Sequence, residues 1–175
     1  PGLLKRVLKS PRPLARAAGA RVAGHWAKQY PDGVLLLQEA ARDADARVRH
    51  EALVGAAQFD GLPAAEVMFE ASLRATDPQI DYAMRETRKV VDGYWKAALE
   101  KGEKLSTAGQ LFALRNADAA ALARMERTEA VCLALLSRGS IKIDVRRDAL
   151  QRLAGFTTKS RGEVLIGLIR KHSAN

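Results

Sequence analysis

One phrase recurs along this chain at a fixed spacing, and that spacing limits the folds open to it. "DADARVRHEAL" fills residues 43–53 and "KIDVRRDALQRLA" fills residues 142–154. In both, an Asp precedes a Val-Arg pair, and an Ala-Leu pair follows three positions after the Arg. Aligned on the position before the helix Arg, Ala15, Val48 and Ile80 lie about 32 residues apart. Val145 falls two periods further on, with a weak unit skipped near Phe112. Two helices of such a unit cannot bury their apolar stripes alone, so each pair must stack on the next. The period therefore predicts an all-α stack of about four to five helix pairs.

The punctuation agrees with that period. Amphipathic segments run over "GLLKRVLK", from Leu14 to about Lys28, over "VLLLQEAA", from Arg47 to Phe59, and over "AAEVMFEASLRA". They are separated by "SPRP", "YPDG", "DAD" and "DGLP", all strong turn signals. "TDPQ" opens a long helix from Gln79 to about Glu100, with Thr76 or Asp77 as its N-cap and Pro78 in its first turn. After "KGEKLS" come helices over 107–115, 117–137, 144–155 and from about Ser160 to 171. No stretch alternates as a strand does. Val48, Ala52, Val145 and Ala149 share helix faces and are expected in the core between helices.

Composition bounds the rest. Hydrophobic residues make up 47% and aromatics 5% of the 175 residues, a balance suited to packed helices and unlike a disordered tail. No apolar run reaches the roughly 20 residues that span a bilayer. The single cysteine, Cys132, sits in the apolar run "AVCLALL" and reads as a small buried hydrophobe. The formal net charge is +9, unevenly spread. No acidic residue precedes Asp32, while Lys5, Arg6, Lys9, Arg12, Arg16, Arg21 and Lys28 do. The stretch from Ser140 onward is also basic and the middle is slightly acidic. Such asymmetry marks either an acidic or nucleic-acid partner or a solvated face. The chain starts with Pro1 rather than Met, as expected of a piece of a longer multidomain protein.

The Asp, Val-Arg and Ala positions that open the second helix of each pair resemble the HEAT-repeat signature. That resemblance implies a right-handed α-α superhelix, a HEAT-like or ARM-type solenoid, forming a single domain over 1–175. It also implies a ladder in which turn aspartates meet helix arginines. Carried onto this chain, the ladder joins Asp43 or Asp45 with Arg49, and Asp144 with Arg146. Arg16 stands in the first unit with no turn Asp before it, and Asp77 fits the turn of the third. Asp81 occupies the place of that unit's Arg, which predicts an interruption there. A narrower resemblance rests on "DYA", "ET" and "YWKAAL" within 81–99. It is similar to a helical segment of large planctomycete and verrucomicrobial membrane-bound dehydrogenases. Those join a sugar-dehydrogenase-like propeller, a HEAT-like segment and a c-type cytochrome domain. The resemblance implies a linker solenoid, in a periplasmic or cell-envelope setting; without it, a cytoplasmic setting is the expectation.

Chemistry-bearing motifs are sparse. There is no phosphate-cradling GxxxxGK[ST] loop, no GxGxxG, no CxxC, no haem-attaching CxxCH and no His pair at i, i+4. His25 adjoins a helix end, His50 lies among charged neighbours and His172 lies near the chain end. Glu66 and Glu70 share a helix face that reads as solvated. Tyr94-Trp95 reads first as packing between helices and second as a partner anchor. No catalytic, cofactor or metal residue is assigned. A partner surface, where one exists, falls on Lys5, Arg6, Arg12, Arg21 and Trp95. Two functions fit: a non-catalytic scaffold that binds a protein or its parent's neighbouring domains, and a nucleic-acid-binding HEAT-like protein of the DNA-glycosylase kind, with weak non-specific DNA binding as the lesser form. No membrane insertion by this segment is expected.

Overall fold

Eleven helices and no strand form among the described residues, 2–173, of the computed structural model. The chain divides into two compact units, 1–112 and 113–175. The division falls inside α7, Thr107–Asn116, where the repeat pattern is weakest.

The first unit contains α1 (Gly2–Leu8), α2 (Pro13–His25), α3 (Gly33–Ala41), α4 (Ala46–Ala56), α5 (Leu62–Ala71) and α6 (Pro78–Glu100). Each odd-numbered helix packs on the even-numbered helix after it. The odd helices also pack on one another in sequence order, α1 on α3 and α3 on α5. The even ones do likewise, α2 on α4 and α4 on α6. The helix ends follow local chemistry. Asp45 caps α4 by accepting from the Arg47 N–H at 2.9 Å, and Asp77 caps α6 by accepting from the Ile80 N–H at 2.8 Å. Pro78 then occupies the first turn, where no intrahelical N–H bond is lost. At the far end of α6, Gly102 turns left-handed with φ +77°. Its N–H bonds the Leu99 carbonyl and the Glu103 N–H bonds that of Ala98, a Schellman closure.

The second unit holds α8 (Ala119–Arg124), α9 (Glu129–Ser137), α10 (Ile143–Thr157) and α11 (Arg161–Ser173), packed in series from α8 to α11. The single helix expected over 117–137 is two. Asp118 caps α8 through the Ala121 N–H, Met125 is extended at ψ 151°, and Thr128 restarts the chain as α9 by capping Val131. A hydroxyl followed by Glu129 is a helix-start signal, and it outweighs the apolar continuity around it.

Small residues set the spacing of the first core. Ala20, Ala23, Ala52 and Ala56 are fully buried where α2 meets α4. There Gly24 and Gly55 bring the two backbones together: a Cβ on Gly24 would lie 2.5 Å from the Gly55 Cα. Further along, Phe69, Trp95 and Phe112 form an aromatic cluster, with ring centroids 5.2 Å apart for Phe69–Phe112 and 6.3 Å apart for each pair involving Trp95. Val48, Ala52 and Ala149 are buried as expected, whereas Val145 is only half-buried.

Gly24→Ala should destabilise the first unit by about 1–3 kcal/mol, because the new methyl meets backbone that cannot rotate away. Gly93→Ala, in α6 with open space around it, should instead stabilise by about 0.5–1 kcal/mol through helix propensity. Thermal melts of the two variants test this: shifts of the same sign would contradict the close crossing.

Candidate functional site

The expected ladder residues gather at the turns between helices, and two arginines there repeat one geometry. Arg49 is 5% exposed, although it is charged. Its Nη1 donates to the carbonyls of Asp43 at 2.9 Å and Ala44 at 2.8 Å, six and five residues earlier. Its Nη2 donates to the Ala75 carbonyl at 2.8 Å, 26 residues later, in the turn before α6. Arg16 does the same one period earlier. Its Nη1 donates to the Ser10 carbonyl at 2.9 Å and the Pro11 carbonyl at 3.3 Å, again six and five residues earlier. Its Nε and Nη2 reach forward 27 residues to the Asp43 carboxylate at 2.6 and 2.9 Å. Each guanidinium thus closes its own turn and holds the next one, a task its planar set of five donors suits and an ammonium does not.

The ladder differs in detail from the expectation. Both Nη atoms of Arg49 bond carbonyl oxygens, since Asp43 is taken by Arg16 of the preceding pair, and its Nε is buried without a hydrogen-bond partner. Asp43 also accepts from the Asp45 N–H at 2.9 Å. The Arg16 hydrogen bonds, more than the field of Arg49, hold its carboxyl below the usual range against the opposing effect of burial. Asp45 serves as a cap and pairs with Arg47 at 3.4 Å. Asp77 is likewise a cap, and Asp81 is exposed where the next arginine would stand, so no third clamp follows Arg49 in this unit. Asp144 is 86% exposed and lies 3.9 Å from Arg147, not beside Arg146, because residues two apart on a helix face away from each other. Arg146 instead donates to the Arg138 carbonyl at 2.6 Å.

Other links were not legible in the repeat phrase. Arg21 pairs with Glu51 at 2.5 and 3.0 Å, and Arg42 with Glu70 at 2.7 Å. The Thr87 hydroxyl, buried, donates to the Leu53 carbonyl at 2.9 Å, joining α6 to α4. In the second unit Arg138, in the turn between α9 and α10, donates to the carbonyls of Ala117 and, at 2.6 Å, of Leu114. Its only sequence signal is its place in "SRGS" between two helical runs.

Of the expected partner surface, Lys5, Arg6 and Arg12 are exposed and have no ion pair among the described residues, whereas Arg21 is engaged with Glu51. Trp95 is fully buried in the aromatic cluster, with its indole N–H donating to Asp92 at 3.0 Å, so it offers nothing to a partner. Tyr94 beside it donates to Asp60 at 2.7 Å. The face of Glu66 and Glu70 is less solvated than expected. Burial pushes the Glu66 carboxyl up, opposed by its hydrogen bond from Ser106 at 2.5 Å, while Arg42 holds Glu70 down. Glu66 is therefore a capping acceptor for the turn at Ser106. Burial also pushes the Cys132 thiol up. His25 is exposed, His50 lies 3.9 Å from Glu51, and the His172 side chain lies outside the described residues. Among the described residues no three His, Cys, Asp or Glu side chains are grouped to hold a metal, and no helix is long and apolar enough to cross a membrane. No family model, curated protein or solved structure matches the chain.

Arg49→Ala should cost about 2–4 kcal/mol, because three part-buried hydrogen bonds are lost at once and the buried side chain leaves a void. Lys5→Ala should stay within about 0.5 kcal/mol, as an exposed unpaired charge does. Chemical denaturation of both variants measures the difference, and equal losses would count against the clamp. A pH series isolates the carboxylate. A folded-state pKa held below the ordinary value stabilises above the unfolded-state pKa of about 4 and loses that effect as pH falls through the folded value. The stability gap between the parent chain and Asp43→Asn should be full at neutral pH and close below about pH 4. A gap that stayed constant to pH 2 would show that the charge of Asp43 does not act through Arg16.

Proposed function

We propose that this chain is a non-catalytic helical-repeat scaffold, a HEAT-like α-α superhelix that binds a protein or spaces the neighbouring domains of a longer parent. The observation that carries this reading is the repeated clamp. Arg16 and Arg49 bond backward by the same six and five residues and forward by 27 and 26. A device reused at one period is what stacked repeats need, since each repeat contacts only its neighbours and must fix its angle to them locally. The separate rows of odd and even helices support the same reading. Stacking of this kind leaves long helix faces free for partners. On the resemblance of residues 81–99, the parent is a membrane-bound dehydrogenase in which this segment joins a propeller to a cytochrome c domain, in the cell envelope.

A nucleic-acid-binding role is the second reading, favoured by the exposed and unpaired Lys5, Arg6 and Arg12. Duplex binding at about 0.05 and 0.2 M salt, with and without an alkylated base, separates the two. Under the scaffold reading, retention is weak, independent of sequence and lost as salt rises, because it works through counterion release. Tight, lesion-selective binding that survives the higher salt would replace the scaffold reading with a DNA-repair one.

A further inference from the structure

The second unit ends in an open groove. Its floor is built from Leu136 of α9, Leu150 of α10 and Leu168 of α11, all half-buried. Its sides carry Ile143, 59% exposed, and Leu165 and Ile169, 42% and 63% exposed. These positions keep helical stride: 143 and 150 lie two turns apart on α10, and 165, 168 and 169 share one face of α11. The apolar lining thus forms a trough about 10 Å long, the length of two helical turns.

The charged side chains that line this trough have one sign. Arg146 and Arg147 line it and no carboxylate does. Arg147 is 75% exposed, and its nearest acid, Asp144, is 3.9 Å away, beyond the reach of a charge-assisted hydrogen bond. The other acids of the unit's end are engaged elsewhere. Asp148 is held by Arg152 at 2.9 Å and Arg127 at 3.0 Å, and Glu163 accepts from its own helix start at the Ser160 N–H and hydroxyl. Lys142 and Arg161, both exposed, extend the positive field past the trough.

We propose that this groove binds an acidic amphipathic helix of a partner protein. An apolar trough lined on a helical stride takes an occupant whose own apolar residues recur at i, i+3 or i+4 and i+7. The arginine rim selects glutamates or aspartates flanking that stripe, because complementary charge fixes register and rejects basic partners. The assignment rests on the scaffold reading and names the kind of partner for it.

The test is fluorescence anisotropy with a labelled peptide of about 14 residues, carrying leucines at i, i+3, i+7 and i+10 and glutamates beside them. A twin peptide replaces every glutamate by lysine. The acidic peptide should bind the whole chain in the micromolar range, and the lysine twin at least about tenfold more weakly. Arg147→Glu should weaken the acidic peptide about tenfold and improve the twin. Ile169→Glu should abolish binding of both. Each altered side chain is exposed, so far-UV circular dichroism and melting temperature should match those of the parent chain. Equal binding of the two peptides, or binding that neither substitution changes in a folded variant, would overturn the proposal. So would preferential uptake on vesicles of phosphatidylglycerol and phosphatidylcholine, or a concentration-dependent dimer dissolved by Ile169→Glu. The scaffold reading fails separately, in the duplex assay: a chain inert to both peptides and to lesion DNA would lose the groove's occupant and keep the scaffold.

Discussion

Gly24 and Gly55 put two helix backbones within the space of one absent side chain, and much of the first unit is built to that distance. With α2 and α4 so close, the residues beside the contact have to be small, and Ala20, Ala23, Ala52 and Ala56 are fully buried there. Leu37 of α3 closes the same region from the other row, its Cδ1 lying 2.9 Å from where a Gly55 Cβ would stand. The close approach also places Arg16, in the first turn of α2, within hydrogen-bonding reach of Asp43, ahead of α4. A wider crossing would stretch that contact beyond the length of a bond. Packing and polar satisfaction are therefore one constraint here.

Turns between packed helices bring carbonyl groups out of water, and those groups need donors. Arginine answers for several carbonyls at once, so a single residue type at a single position per repeat suffices. This explains why Arg49 is buried while bonding no carboxylate: the carbonyl dipoles of Asp43, Ala44 and Ala75 take its place. It also explains why the clamp lapses at Asp81. An acid there has no donor for a carbonyl and remains in solvent, and α6 is fixed by other means, through Thr87 to Leu53 and through the packing of Trp95.

The helices were readable because their ends are written locally. Asp45, Asp77 with Pro78, and Gly102 act within a few residues of themselves, and the helix class follows from them. The break at Thr128 was missed since it lies in a stretch whose apolar pattern is continuous on both sides. The participants of the ladder were also legible, but their partners were not. Asp43 precedes Arg49 by six residues and belongs to Arg16, 27 residues away; spacing along the chain says nothing about which of two nearby arginines arrives first. Trp95 shows the same limit, since a large apolar residue near a helix end looks alike whether it faces a core or a partner. Gly24 and Gly55 carried no signal, because a glycine inside a helix is noticed in sequence as a weakness and only in three dimensions as a contact.

The clamp bears on the meaning of the positive charge. A repeat protein that satisfied its turns with Arg-carboxylate pairs would remain near neutrality. This one satisfies many of them with arginine and carbonyl oxygen, and Arg49, Arg138 and Arg146 each add a full charge with no carboxylate bonded to it. Part of the +9 is therefore a consequence of how the turns are closed rather than of what the surface binds. The charge that does no such work includes Lys5, Arg6 and Arg12 in one unit and Lys142 and Arg147 in the other. These lie in different settings. Lys5 lines a cavity with Leu8, Leu36 and Val48 that also carries Glu39 and Asp43, so its surroundings are of mixed sign, while Arg6 and Arg12 are exposed charges that salt screens readily. Arg147, 75% exposed, borders a groove lined by leucine and isoleucine, where burial of apolar area would add to the affinity of the proposed helix. The two settings differ in sign: carboxylates share the cavity at Lys5, whereas the side chains lining the groove at Arg147 are apolar or basic, the combination on which the proposed acidic helix would draw.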